Sequence, residues 1–439
     1  MKSKKLLIAF FMACGCLTTA FAQTSGNNSP YSRYGYGTLA DEGQGFNKGM
    51  AGAGLAISGK DVLNRQNPAS YAKIDSLTLL FDIGASFTTA HMSMNGKSVN
   101  PQNTTVDYVQ AGFRLFKNIG FSFGMRPFTT IGYNFVSNRS LDDIDGYGEK
   151  VHQATYLGEG GTHMVYGGLG WSPLGRLAIG LNASYLWGDY SHTSRVTFSD
   201  ATIQSLGRQY SGNISTWLLD FGAQYSLKLN KNNQLGIGLT AGLGHNVRET
   251  ATLTNRKYTS SASIGSDTIT LPNAYEIPMS YGVGLALTHK ERLTVSADYT
   301  LQMWKDCRYP ELVNTPNGQV FQIGNSSFAN RQKISIGAQY VPNPEGLVMR
   351  DHFIYSAGIT YATPYYKING NNGPKHYGAT LGIGLPIFNR DSPKPSILHL
   401  TAQYEHVATS QKNYIKEDYF RLCLGLTFNA RWFDKWKVQ

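Results

Sequence analysis

Period-two alternation in long segments constrains this chain most. From Trp217, every second residue is apolar: Trp217, Leu219, Phe221, Ala223, Tyr225 and Leu227 alternate with Leu218, Asp220, Gly222, Gln224, Ser226 and Lys228. Leu177 to Gly188, Leu398 to Glu405 and Phe420 to Phe428 repeat the pattern. This is the strand period, not the helical one. The segments run about 10 to 16 residues, against about 5–6 for a soluble sheet, and a membrane-crossing strand needs about 9–11. Aromatics such as Tyr185, Trp187 and Tyr299 stand near strand ends, where interfacial girdles belong. A secreted β-sandwich is disfavoured by strand length, and a propeller by the lack of a fixed-period repeat.

Composition agrees. The chain has 48 Gly, 27 Tyr and 21 Phe, 15% charged residues and a mean hydropathy of −0.27. No apolar run after residue 22 is long enough for a membrane helix. Before that, Lys2, Lys4 and Lys5 precede the apolar run Leu6 to Met12, and Ala20-Phe21-Ala22 reads as a cleavage site. Residues 1–22 are therefore expected to be a secretory signal. Cys14 and Cys16 lie in poor contexts for lipid attachment, which leaves Cys307 and Cys423, expected as free thiols. The net charge is +11, three of the lysines being in the signal. For an exported chain that points to anionic lipid headgroups or polysaccharide rather than nucleic acid.

Fourteen strands are expected, at roughly 76–90, 104–116, 120–137, 162–172, 176–190, 213–229, 233–248, 275–288, 292–305, 329–341, 352–363, 375–387, 395–407 and 416–428. The gaps alternate between long, polar ones (138–161, 191–212, 249–274, 306–328) and tight turns such as Lys117-Asn118-Ile119 and Pro173-Leu174-Gly175. That alternation fits long outer loops and short periplasmic turns. The expectation is an all-β, 14-stranded antiparallel transmembrane β-barrel over 76–428 in a Gram-negative outer membrane, both termini periplasmic, with outer-membrane lipids around it. Residues 23–75 break the pattern: Gly49-Met50-Ala51-Gly52-Ala53-Gly54 and the turn Asn67-Pro68-Ala69 suit a chain packed inside the lumen as an N-terminal hatch or plug. Residues 429–439 form a basic aromatic tail, either a membrane-surface anchor or a docking segment for a periplasmic protein.

Several pieces resemble one family. Gly49–Gly54 with Asn67–Ala69 resembles the hatch of the FadL-like outer-membrane transporters of hydrophobic compounds. Gly160–Pro173 is similar to the family's fourth strand, and Ile277–Leu285 and Ala297–Trp304 to its eighth and ninth. The resemblance implies a fourteen-stranded barrel plugged by a hatch. It also implies uptake of small hydrophobic, long-chain fatty-acid-like ligands, and a lateral exit at a kinked third strand. Gly52, Gly54, Asn67, Pro68 and Ala69 are then the ligand or hatch candidates, and Arg126, Pro127 and Phe128 the lateral-gate candidates. Proline cannot donate to a sheet ladder, so Pro127 marks a bulge or an opening. The alternative is a non-transporting barrel subunit of an outer-membrane export or assembly complex, with periplasmic or outer-membrane protein partners. A general porin is a third reading, which a folded plug would contradict. No metal-ligand spacing or Gly-x-Ser-x-Gly elbow is present, so neither an enzyme nor a cofactor is expected. Asp82, Asp220, Asp298 and Lys228 read as lumen or hatch-anchoring groups.

Overall fold

In a computed structural model, the described residues are 29–76, 78–94, 96–140, 151–198, 204–259, 263–316, 318–387, 395–409 and 414–431. The signal segment and residues 432–439 lie outside them. Alternating strands form a closed fourteen-stranded antiparallel barrel. In chain order they are β1 (Thr78–Met94), β2 (Gln102–Phe116), β3 (Ile119–Ser140), β4 (Val151–Trp171), β5 (Leu177–Phe198), β6 (Ser205–Lys228) and β7 (Asn233–Gly242). Then follow β8 (Ser280–His289), β9 (Leu293–Gln302), β10 (Arg331–Tyr340), β11 (Ile354–Ala362), β12 (Lys375–Ile387), β13 (Ser396–Ala408) and β14 (Lys416–Arg431). Pairing of β1 with β14, from Thr78↔Arg431 to Ser93↔Lys416, closes the ring.

The alternation decides the faces. Trp217, Phe221, Tyr225, Ile179, Leu181 and Tyr185 are exposed on the outside, while Leu218, Gln224 and Asn182 on the same strands are buried. Leu422, Leu424 and Phe428 continue the outer belt in β14 and Cys423 turns inward. So large an exposed apolar surface is stable only against lipid, and the barrel is an outer-membrane one.

The strands on the long-loop side reach further than the apolar pattern shows. Residues 151–161 and 191–198 belong to β4 and β5, and 205–212 to β6. Beyond the bilayer both faces meet water, so Thr, Ser and Arg replace the apolar set while backbone pairing continues. Residues expected as loops at 249–274 and 306–328 carry hairpins, Ala251–Tyr258 with Ser263–Leu271 and Tyr309–Thr315 with Gly318–Gly324. The last strand runs to Arg431, three residues past its expected end, so 429–431 belong to the barrel and not to the tail. Lys228 is exposed at the end of β6, next to a short turn. Cys307 and Cys423 are free and buried.

Residues 29–75 thread the barrel from one end to the other. Ser29 Oγ donates to Glu417 at the long-loop end of β14, 2.7 Å, whereas Arg431, at the far end of that strand, pairs beside the start of β1. The described ends of the chain therefore lie at opposite ends of the barrel; the termini expected on the periplasmic side lie outside the described residues. Wall glycines let the threaded backbone approach. A Cβ at Gly180 would meet Pro68, at Gly238 Leu55, and at Gly358 Met50, in each case on backbone atoms.

Candidate functional site

The threaded segment divides into three parts. At the long-loop end, Tyr36 (2% exposed) sits in an aromatic core with Trp304, Tyr309 and Phe328, ring centroids 5.4, 5.4 and 5.9 Å away. Its hydroxyl donates to the Glu276 carbonyl at 2.9 Å, and Tyr309 donates to the Gly35 carbonyl at 2.6 Å. Each buried Tyr thus keeps a partner for its polar tip. The outer loops supply this core, and residues 31–36 complete it.

In the middle, hydrogen bonds hold the segment to the wall. Asp298 of β9 accepts from the Gly54 and Leu55 N–H groups, at 2.6 and 2.9 Å. Asn67 caps the short 3-10 turn Pro68–Lys73 by accepting from the Ala69 N–H, and it donates to the carbonyls of Leu55 (2.8 Å) and Ala223 (3.1 Å). Gly52 takes a positive φ of 77°, which its missing Cβ permits; its carbonyl accepts from Asn47 and Gln66. Of the hatch candidates, Gly52 lines an internal cavity; Gly54 and Asn67 bond to the wall, and Pro68 and Ala69 pack against Gly180.

The third part is the seam between β2 and β3. Their ladder runs from Phe116↔Ile119 to Val109↔Met125 and stops there. Beyond it, among the described residues, β2 pairs only with β1, with a bulge near Asp107. The freed edge of β3 is taken by the threaded segment instead: Thr38 and Leu39 pair with Thr130 and Thr129, and the Ala40 N–H donates to the Phe128 carbonyl at 3.0 Å. Pro127 lies at the accompanying register shift against β4, opposite His163. Arg126 is buried and donates to the Asp41 carbonyl at 2.9 Å. All three gate candidates therefore stand where the barrel ladder is interrupted.

Behind this seam lie two contiguous cavities. The larger, ≈ 120 Å³, is lined by Phe128, Met164, Leu218 and Trp304 together with Glu42, Arg65 and Lys333. The smaller, ≈ 10 Å³, lies behind Val109, Met125 and Arg126; Glu42 and Arg65 line both. Ion pairs surround them: Lys48 bonds Asp107 and lies 3.7 Å from Asp41. Burial opposes charge on Lys48, but Asp107 and Asp41 outweigh it and raise its pKa. Burial likewise pushes the Asp41 carboxyl up, yet Lys48 and Lys333 bring it down to about 2. Glu42 is held below the usual carboxylate range by Arg126, Lys333 and Arg65 against the same burial penalty. The path from cavity to seam is thus amphipathic, with apolar walls and fixed charges of both signs.

Sequence reasoning found the interrupted third strand through Pro127. It missed Thr38–Ala40, whose two-residue pairing has no period to detect, and the charges of Asp41, Lys48, Arg65 and Asp107. The one available signal was charged residues within a Gly-rich buried segment.

Solved structures share the fold. A FadL homologue of Pseudomonas aeruginosa aligns with a TM-score of 0.60 at 12% identity, over 90% of this chain and 100% of its own. The Ralstonia pickettii toluene transporter TbuX gives 0.57 at 13%, over 90% and 99%. The Pseudomonas putida toluene transporter TodX gives 0.56 at 15%, over 90% and 100%. No curated protein matches. The FadL-like resemblance thus holds for architecture, while a family model described as BamG matches residues 2–439, and the chain belongs to that family.

Proposed function

We propose that this barrel passes small hydrophobic molecules, of the long-chain fatty-acid type, across the outer membrane, with residues 29–75 as hatch and a lateral exit between β2 and β3. The observation that carries the reading is the ladder that ends at Val109↔Met125, with β3 capped beyond it by Thr38–Ala40. A two-residue cap is held by few hydrogen bonds and is readily exchanged, unlike a full ladder. The contiguous cavities lead to this seam, and their charges suit a carboxylate head while the apolar walls suit its chain. The similar structures named as transporters and hydrocarbon channels lend support of the same kind. Replacing Ala40 by proline removes the bond to Phe128 without touching the cavity. In cells lacking the native copy, the A40P barrel is expected to take up radiolabelled oleate several-fold faster than wild type, and wild type faster than an empty control. Equal uptake with and without the barrel would sink the reading.

A second reading is a scaffold in an outer-membrane assembly complex. It is favoured by the aromatic core packed across the long-loop end, which leaves ligand capture there dependent on rearrangement. The tail is the proposed docking segment, and its test must spare Asn429–Arg431, which complete barrel closure. Removing 432–439 is expected to strip co-purifying membrane proteins from the gently solubilised barrel. An unchanged set of partners, or none before truncation, counts against the scaffold.

A further inference from the structure

We propose a second membrane-facing port, between β6 and β7, through which an apolar chain from the outer leaflet reaches the internal cavity. The backbone ladder is interrupted there too. The β6 edge bonds β7 from Lys228↔Gln234 to Asp220↔Gly242, and the Leu243 N–H donates to the Leu219 carbonyl at 3.0 Å. The same edge is next paired at Gly212, with Ala251. Between them, among the described residues, 213–218 have ladder partners only on the β5 side.

The sequence causes the break. Between Gly242 and Ala251 the chain leaves the β6 edge, and among the described residues His245–Val247 pairs only with Tyr275–Ile277. Val247, Tyr275 and Ile277 are buried in the aromatic core. Pro278 has no N–H for a ladder, and Gly244 is packed so closely that a Cβ would meet Met279 N at 2.6 Å and Ile277 O at 2.8 Å.

The His245 side chain packs against this stretch of β6. His245 Nε2 lies 2.6 Å from Thr216 Oγ1, and its ring stacks on Trp217 at 4.1 Å between centroids with planes 3° apart. A rotamer change moves such a latch, whereas a ladder has to unzip. Outside, Trp217, Leu243, Met279 and Tyr281 are exposed. Trp217 is about twelve residues along β6 from the short turn, which at ~3.3 Å per residue and ~40° tilt is about 30 Å, the level of the outer interface. Inside, Leu218, Ile277 and Pro278 line the cavity next to the break, with Asp220 and Ser280 beside them. The fitting ligand is a single apolar chain, either part of a lipid or dissolved among lipids. The port does not depend on the β2–β3 exit, since its readout is entry into the cavity rather than uptake.

The test places a thiol in the cavity as Leu218→Cys, with the parent protein, whose two cysteines are buried, as background. In phosphatidylcholine proteoliposomes, free dodecyl maleimide is expected to label it, and His245→Ala to speed labelling at least tenfold. Thr216→Val, a milder release of the latch, is expected to give about threefold. A charged, water-soluble maleimide is expected to label none of them. Labelling also by a phospholipid carrying maleimide at its acyl terminus assigns the ligand to lipid chains; labelling by the free alkyl reagent alone assigns it to dissolved hydrophobes. Rates indifferent to both latch variants, in barrels that keep heat-modifiable migration, would overturn the port. So would equally fast labelling by the charged reagent.

Discussion

Replacing Gly358 by valine is expected to expel the threaded segment from a barrel that still forms. Gly358 and its cross-strand partner Gly337 both present their missing Cβ to Met50. Any side chain there collides with the Met50 and Ala51 backbone, which cannot rotate away as a side chain can. Overpacking a well-filled core costs on the order of 1–3 kcal/mol, and a clash on backbone belongs at the upper end. Valine suits a strand, so the ladder with β10 and β12 is not the part that fails. The segment yields first, because its hold is a set of dispersed hydrogen bonds such as Gly54–Asp298 and Asn67–Leu55. Trypsin then reaches Lys48 and Arg65, both buried in the native barrel, and cleavage there is expected to accelerate at least tenfold while heat-modifiable migration is retained. Unchanged protection would show that the segment is not held by close approach at these glycines.

The second large effect is expected at the aromatic core. Tyr36→Ala removes a ring that touches Trp304, Tyr309, Phe328 and Tyr275. By comparison with other buried aromatics the loss is about 3–5 kcal/mol, concentrated where the segment joins the outer loops. Cys307 is the built-in reporter. It lies in the same core at 3% exposure, and burial, with Glu276 and Asp306 adding to it, pushes its thiol up to about 12. A protonated, covered thiol reacts slowly, so wild type is expected to resist iodoacetamide and to migrate identically with and without reductant. In Tyr36→Ala the Cys307 labelling rate is expected to rise at least tenfold. Tyr36→Phe keeps the ring and loses only its two hydrogen bonds with the Glu276 backbone, about 1 kcal/mol each, and is expected to label nearly as slowly as wild type. Equal rates in all three proteins would mean that Tyr36 does not close this end.

The two effects differ in what they separate. Gly358→Val acts where the segment meets the wall, and Tyr36→Ala where it meets the loops. Capture of a ligand at the long-loop end requires the Tyr36 contact to loosen, whereas a scaffold can keep both. Combining each variant with the uptake assay therefore tells whether either contact limits passage.

Local periodicity carried the barrel. Trp217 to Lys228 and Phe420 to Phe428 declare their faces because lipid and lumen demand opposite side chains at every second position. Strand number and the alternation of long and short connections follow from the same pattern. So does the position of the third-strand irregularity, because Pro127 lacks an N–H. The pattern fell silent where both faces meet water, so the extensions at 151–161 and 205–212 read as loops. It also says nothing of partners far apart in the chain. Asp298 with Gly54, Lys48 with Asp107, Thr38–Ala40 along β3 and His245 between Thr216 and Trp217 are contacts between elements whose separation no local period encodes. Alternation by itself determined that this chain closes into a membrane barrel. Only the tertiary structure decided where that wall is interrupted, because a ladder ends when a neighbouring segment bends away, and that bend is fixed by what packs inside.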